Sequence, residues 1–302
     1  MSAELASVWL MEQISEKEEE CKNKTPTDKS ECVTLPTFPN GDPHSWKICS
    51  EDQKKTLYLV MRNLKRWIED DDKYEPLRIT VMGEGGTGKS VLINTIVAMT
   101  QSMFQCEDCV VVCGPTGAAA YNAGGVTLHS FFGIGKSGKT PYNPSDAKLD
   151  KLRTKLKNCI GLVVDERIMV EAHSLGAMER YMQLSARGGH YAEVENTDWG
   201  NIPFVMLGGD DYQLPPILSG AFFALLDFEK LPPKENDSVK LLYNGYKQFV
   251  LMGKKTVKLS QVKRIVEGQD QLRSILSNVR GLPGQDLSEN QIRLLMSYHL
   301  NY

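Results

Sequence analysis

The sequence has little that would take it out of water or out of a reducing compartment. No run of about 18 apolar residues, the length that crosses a bilayer as a helix, occurs in the 302 residues. The N-terminus lacks the basic-then-apolar order of a secretory signal, so the expectation is an intracellular protein with no membrane span. Paired cysteines are also missing: there are seven, an odd number, and they are scattered. That argues against a disulfide framework and for reduced thiols, with Cys113 and Cys159 set inside apolar runs. Cys106 and Cys109 form a lone Cys-x-x-C with no second pair nearby, so two incidental loop thiols are favoured over zinc or redox use. Excess positive charge is absent as well, with 35 Lys+Arg against 38 Asp+Glu and a net charge of −3. No global field demands nucleic acid, and any basic groove must come from local clustering. No internal repeat is evident.

What charge there is lies unevenly. Residues 1 to 50 hold five lysines and nine Asp+Glu, a net of −4, which leaves the rest of the chain at +1. The first 47 residues contain an acidic run from Glu16 to Glu20 and a Pro/Thr/Asn-rich stretch from Thr25 to Pro43. They read as an acidic, flexible leader, with a possible short helix over Ala3 to Ile14. One domain is expected from residue 48 to 302.

Beyond the leader, apolar runs bounded by turn signals occur at Leu77 to Met82, Cys109 to Cys113, Ile160 to Val164, Phe204 to Leu207 and Thr256 to Leu259. Continuous hydrophobicity is what a strand buried on both faces requires. Helical spacing lies between and after them, as in Leu149, Leu152 and Leu156, and again in Leu272, Ile275, Leu276 and Val279. The fold class expected is α/β with a mainly parallel sheet, whose ligands belong at the carboxyl ends of the strands.

Chemistry follows three of these runs. After the first comes GEGGTGKS, which fills the phosphate-loop pattern with Gly83, Gly88, Lys89 and Ser90. Glycines at 83, 85, 86 and 88, with Thr87, let successive backbone N–H groups turn towards phosphate oxygens, and the helix that follows offers the positive end of its dipole. Lys89 supplies a charge for the terminal phosphates and Ser90 a hydroxyl for Mg2+. ATP with Mg2+ is therefore the expected ligand. After Ile160 to Val164 come Asp165 and Glu166. Beside a phosphate loop, the first carboxylate supports the metal and the second accepts a proton from the attacking water. Gly208 to Ile217 reads GGDDYQLPPI, and Gln213 in it is a neutral amide able to sense the γ-phosphate.

These blocks together resemble the Pif helicases, five-prime to three-prime DNA helicases of superfamily one, subgroup B, related more distantly to RecD. GEGGTGKS looks like the family's first motif, GPTGAAAYNAGGVTLHSFFGIG (Gly114 to Gly135) its second block, VVDERIM (Val163 to Met169) its Asp-Glu motif and GDDYQLPPI (Gly209 to Ile217) its GDFFQLPPV segment. The stretch from Leu259 to Gly281 is similar to a later block, in which Arg264 is a candidate for neutralising γ-phosphate charge. Ser50 to Gln53 resembles the segment whose glutamine, here Gln53, reads adenine.

The resemblance implies a RecA-like P-loop domain that hydrolyses ATP and binds single-stranded DNA, with roles in repair, recombination or telomere maintenance, in the nucleus or the mitochondrion. The second block would carry the DNA contacts. Thr116 and Gly117 open a short helix whose N–H groups can hold a backbone phosphate, and His129 with Ser130 can add a hydrogen bond along the strand.

Three departures stand out. Arg167 and Ile168 replace the isoleucine and serine of the family's Asp-Glu-Ile-Ser-Met, Asp211 replaces an aromatic, and Ile265 replaces a glutamine. Arg167, beside the carboxylate pair, is expected to favour the charged form of Glu166. No block after Gly281 matches a second RecA-like domain, so a second domain or a neighbouring copy is expected to be needed for activity, with the isolated chain binding Mg-ATP but showing little DNA-stimulated hydrolysis. Two other classes remain open: an ATP- and DNA-binding module that does not translocate, and a P-loop ATPase unrelated to DNA.

Overall fold

The computed structural model describes residues 49–70, 72–135, 140–186, 197–211, 213 and 236–261. The expected leader, the helical pattern from Leu272 to Val279, and Arg264 lie outside the described residues. Helix α1 (Glu51–Ile68) leads into β1 (Leu77–Gly83), and α2 (Lys89–Phe104) into β2 (Val110–Gly114). Two short helices, α3 (Gly117–Asn122) and α4 (Leu128–Phe132), flank the two-residue β3 (Val126–Thr127). Then follow α5 (Asp146–Leu156), β4 (Gly161–Val164), α6 (Ala172–Ala186), β5 (Phe204–Gly209), α7 (Asp237–Gly253) and β6 (Thr256–Leu259).

All described strands join one six-stranded sheet in the order β3-β2-β4-β5-β1-β6, and every pairing is parallel. The five apolar runs became β1, β2, β4, β5 and β6, although β6, at the sheet edge, buries only Leu259 rather than both faces. The edge strand β3 was not anticipated, because two residues with an exposed Val126 carry no hydrophobic signal.

The period of two within each strand feeds two cores. Val110, Val112, Val163, Phe204 and Met206 pack under α1 and α2, while Val111, Cys113, Leu162, Val164, Val205 and Leu207 face α5, α6 and α7. Strand β1 breaks the apolar rule on one face. There Arg78 Nη1 donates to Ile202 O at 3.0 Å and Thr80 Oγ1 to Met252 O at 3.1 Å, so both buried polar groups are paired. In α5, Leu149 and Leu152 are buried and Leu156 packs at the cluster's margin, as the spacing predicted.

Candidate nucleotide site and the strand ends around it

Sheet order decides which loops meet. Strand β5 lies between β1 and β4, and Leu207 is level with both Thr80 and Val164. The phosphate loop after β1, the carboxylates after β4 and the Gly208-to-Gln213 turn after β5 therefore leave the same edge side by side. On the other flank of β4 lies β2, with Asp165 N donating to Cys113 O at 2.9 Å.

The loop from Gly83 to Ser90 is held by its own hydrogen bonds. Thr87 Oγ1 donates to Glu84 O at 2.8 Å, and Lys89 Nζ donates to Gly83 O at 2.6 Å and Glu84 O at 3.2 Å. Gly86 and Gly88 take φ of 88° and 82°, the left-handed region that costs glycine nothing. A Cβ at Gly88 would also run into the amide of Gln53. Gln53 is 1% exposed and binds on both sides. Its Oε1 accepts from Ser50 N at 2.6 Å, closing the capping box of α1, and its Nε2 donates to Gly88 O at 2.9 Å and more weakly to Thr87 O at 3.4 Å. The residue expected to read adenine thus braces the phosphate loop. A second tie, Ser260 Oγ to Asp52 Oδ2 at 2.6 Å, fastens the start of α1 to the end of β6.

Asp165 is 5% exposed, and its Oδ1 accepts from Glu166 N at 2.9 Å. Burial pushes its carboxyl up, opposed by that N–H and by Lys89. Glu166 is also pushed up, first by burial and then by Asp165, with Lys89 and the Gln213 side chain pulling the other way. Its backbone is left-handed, φ 52° and ψ 45°, in a residue that has a Cβ. Its Oε2 is buried and accepts from no protein donor.

The expected effect of Arg167 on Glu166 is overturned. Arg167 turns away to pair with Asp211, and Glu166 is driven towards its neutral form. The reason is geometric: Arg167 begins a 3-10 turn, Arg167–Met169, which carries its side chain across the end of β5.

The residues expected to meet DNA stand together on the β2 and β3 side. Thr116 caps α3, its Oγ1 accepting from Ala119 N at 3.2 Å, with Gly117 and Ala118 exposed at the helix start. Thr127 caps α4 in the same way through Ser130 N, leaving His129 and Ser130 exposed. His129 lies close enough to Glu171 to oppose the upward push that burial gives that carboxyl. The structure therefore brings Gln53, Gly83, Gly85, Gly86, Thr87, Gly88, Lys89, Ser90, Asp165, Glu166 and Gln213 to one site, and Thr116, Gly117, His129 and Ser130 to its neighbour. Asp210, 3% exposed and close enough to bear on Glu166, belongs to the first site although the sequence reading assigned it no role. Its signal was the paired aspartate in GGDDYQLPPI.

A sequence model described as PIF1-like helicase matches residues 50–224, more than half of the chain and all of these motifs. The chain belongs to the PIF1-like helicase family. Among relatives, the ATP-dependent DNA helicase PIF1 of Emericella nidulans is 37% identical over 147 residues, covering 46% of this chain and 18% of that protein. The human protein of the same name is 34% identical over 141 residues, covering 46% and 20%. Among solved structures, the Pif1 helicase from Candida albicans aligns with a TM-score of 0.55 at 25% identity, over 82% of this chain and 46% of that one. Bacteroides Pif1 bound to single-stranded DNA shares the fold, with a TM-score of 0.53 at 23% identity over 82% and 49%. The chain thus spans about a fifth of those two relatives and about half of those solved chains. These comparisons confirm the RecA-like α/β class. No helix among the described residues is long and apolar enough to cross a membrane.

Proposed function

We propose that these residues form the nucleotide-hydrolysing, single-strand-binding half of an ATP-dependent DNA helicase motor. The observation that carries the proposal is a buried carboxylate oxygen, Glu166 Oε2, without a protein donor, set between Asp165, Lys89 and Gln213 at the carboxyl ends of neighbouring strands. A desolvated carboxylate of this kind is suited to take a proton from water, since its upward shift makes it a stronger base once ionised. Lys89 places its ammonium on the β- and γ-phosphates, and the loop N–H groups cradle them. Gln213, near Glu166, orients the attacking water or reports the γ-phosphate. Gln53 holds Gly88 in the loop, and its role in reading adenine rests on the family resemblance, since both ends of its amide are bonded within the protein. The donors fit Mg2+, a hard cation that takes oxygen ligands: Ser90 is exposed at the loop's helix start, and Asp165 lies near enough to the adjoining Lys89 to feel its charge. When bound, Mg2+ would neutralise charge on the β- and γ-phosphates. Arg264 is retained as a candidate for the developing γ-phosphate charge on the family resemblance alone.

DNA is read through its backbone in this proposal, by the N–H groups of Gly117 and Ala118 at the Thr116-capped helix start and by His129 with Ser130. Support comes from their position on the flank of β4, beside the nucleotide site, and from the relatives named as DNA helicases. Repair, recombination and telomere maintenance are the roles the family resemblance suggests for such a motor.

Nucleotide affinity and turnover test the first half. Lys89→Ala is expected to weaken Mg-ATP binding, whereas Glu166→Gln keeps binding and lowers hydrolysis by roughly a hundredfold or more. Equal loss of affinity in both variants would remove Glu166 from the role of base. Fluorescence anisotropy with labelled oligonucleotides tests the second half. Binding should be weak, indifferent to base sequence and reduced by salt. Strong preference for one sequence, or no binding at low salt, contradicts it.

A further inference from the structure

Two departures from the family pattern turn out to touch. Arg167 follows Glu166 directly, and Asp211 lies two residues before Gln213 in the turn after β5. Arg167 Nη2 donates to Asp211 Oδ1, a link between residues 44 apart in sequence that joins the ends of two neighbouring strands. The arginine side chain is 6% exposed and the aspartate 24%, so the pair is largely withdrawn from water. The guanidinium also lies 5.1 Å from the ring centroid of Phe249 on α7. Its stem crosses Gly209, where a Cβ would come within 2.9 Å of Arg167 Cγ, so only glycine lets the side chain pass.

The neighbours of the pair show what it can do. Arg167 adjoins Glu166, Asp211 sits within the turn closed by Gln213 N donating to Asp210 O at 3.1 Å, and the Gln213 side chain lies near enough to Glu166 to pull its carboxyl down. Holding a loop glutamine against a strand-end carboxylate costs conformational entropy. An ion pair made by the flanking residues of both partners offsets that cost without occupying either side chain. The family pattern places isoleucine and an aromatic at these two positions, so two apolar residues are exchanged here for an ion pair.

We propose that the Arg167–Asp211 ion pair is a latch that positions Gln213 against Glu166. Both are positioning residues that act through that contact rather than on the nucleotide. The catalytic half of this proposal rests on Glu166 being the base, while the latch itself is measurable without turnover.

The experiment compares the 302-residue chain with Arg167→Ile, Asp211→Phe and the double variant carrying both, the apolar pair of the family pattern. Hydrogen exchange over residues 208–213 is read beside single-turnover hydrolysis of Mg-ATP, with nucleotide affinity measured separately. A buried charge stripped of its partner should release the loop. Each single variant is then expected to exchange about tenfold faster and hydrolyse about tenfold more slowly at nearly unchanged nucleotide affinity, with both readouts restored to within about threefold in the double. Where Asp211→Phe does not fold, Asp211→Asn removes the charge at constant shape and should show the same two losses. Unchanged exchange in the single variants overturns the latch, whatever turnover does. Faster exchange with unchanged turnover overturns the positioning role. Exchange that follows the expected pattern in a chain that neither binds nor hydrolyses Mg-ATP in any form upholds the latch and overturns the ATPase reading instead.

Discussion

The two ends of the sheet both bury charge and treat it in opposite ways. At the amino ends of β1 and β5, Arg78 donates to the carbonyls of Leu77, Ile202 and Asp198. Glu179 accepts from Trp199 N at 3.1 Å and from Asn244 Nδ2, Trp199 Nε1 donates to Gln248, and Gln248 and Lys247 both reach Asp198. These groups satisfy one another, which fastens α6 and α7 to the turn before β5. At the carboxyl ends, buried Asp165 adjoins half-buried Glu166, one oxygen of Glu166 lacks a protein donor and the backbone of Glu166 is left-handed. A closed network of this kind gives rigidity, and an open one keeps interaction capacity for a ligand at a cost in stability. The same physics of burial therefore yields a scaffold at one end and a reactive site at the other.

Removing a member from the closed end should give the largest effect on stability. Arg78→Leu strips three carbonyls of their donor, and a loss of about 3–5 kcal/mol is expected from denaturant unfolding, with Mg-ATP affinity of the folded fraction unchanged. A loss below about 1 kcal/mol would mean that the network does not carry the fold. Glu179 offers the next test. Burial pushes its carboxyl from the ordinary 4.5 up to about 7. Between those values the folded chain binds a proton that the unfolded chain has released, so stability is greatest at low pH and falls as pH rises through the window. The fall should approach about 3 kcal/mol, with Asp165 and Glu166 adding in the same direction. Unfolding midpoints at pH 5 and pH 8 check it, and Glu179→Gln should flatten most of the slope. The smallest change is expected at the open end. Glu166→Gln removes a half-buried charge that lacks a full set of donors, so stability should hold or rise by about 1 kcal/mol even as hydrolysis falls. Marked destabilisation by Glu166→Gln would erase the contrast between the two ends.

Much of the open end was legible beforehand, because its signals are local. The phosphate loop announces itself by glycine spacing, and the Asp165-Glu166 pair by following an apolar run. Gln213 was legible from its place behind another. The closed end gave no such notice. Arg78 sits inside a strand whose sequence reads as apolar, and Glu179, Trp199, Asn244 and Gln248 come from three separate elements that only the packing of α6 on α7 brings together. Arg167 was misread for the same reason: adjacency suggested Glu166 as its partner, while the 3-10 turn sent its side chain to Asp211.

By itself, then, the sequence determined five of the six described strands, the burial of β1, β2, β4 and β5 on both faces, and which chemistry leaves three of their ends, but not the exposure of the edge strands β3 and β6. Run length, residue type and short spacing are properties a chain has before it folds. Tertiary structure decided the rest. Placing β5 between β1 and β4 brings the phosphate loop and the carboxylates together, and β2 on the far side of β4 sets the Thr116 and His129 cluster beside them. Gln53 meets Gly88 across 35 residues and Arg167 meets Asp211 across 44. Contacts over such distances follow from the order in which strands pack, and a local pattern carries no information about that order.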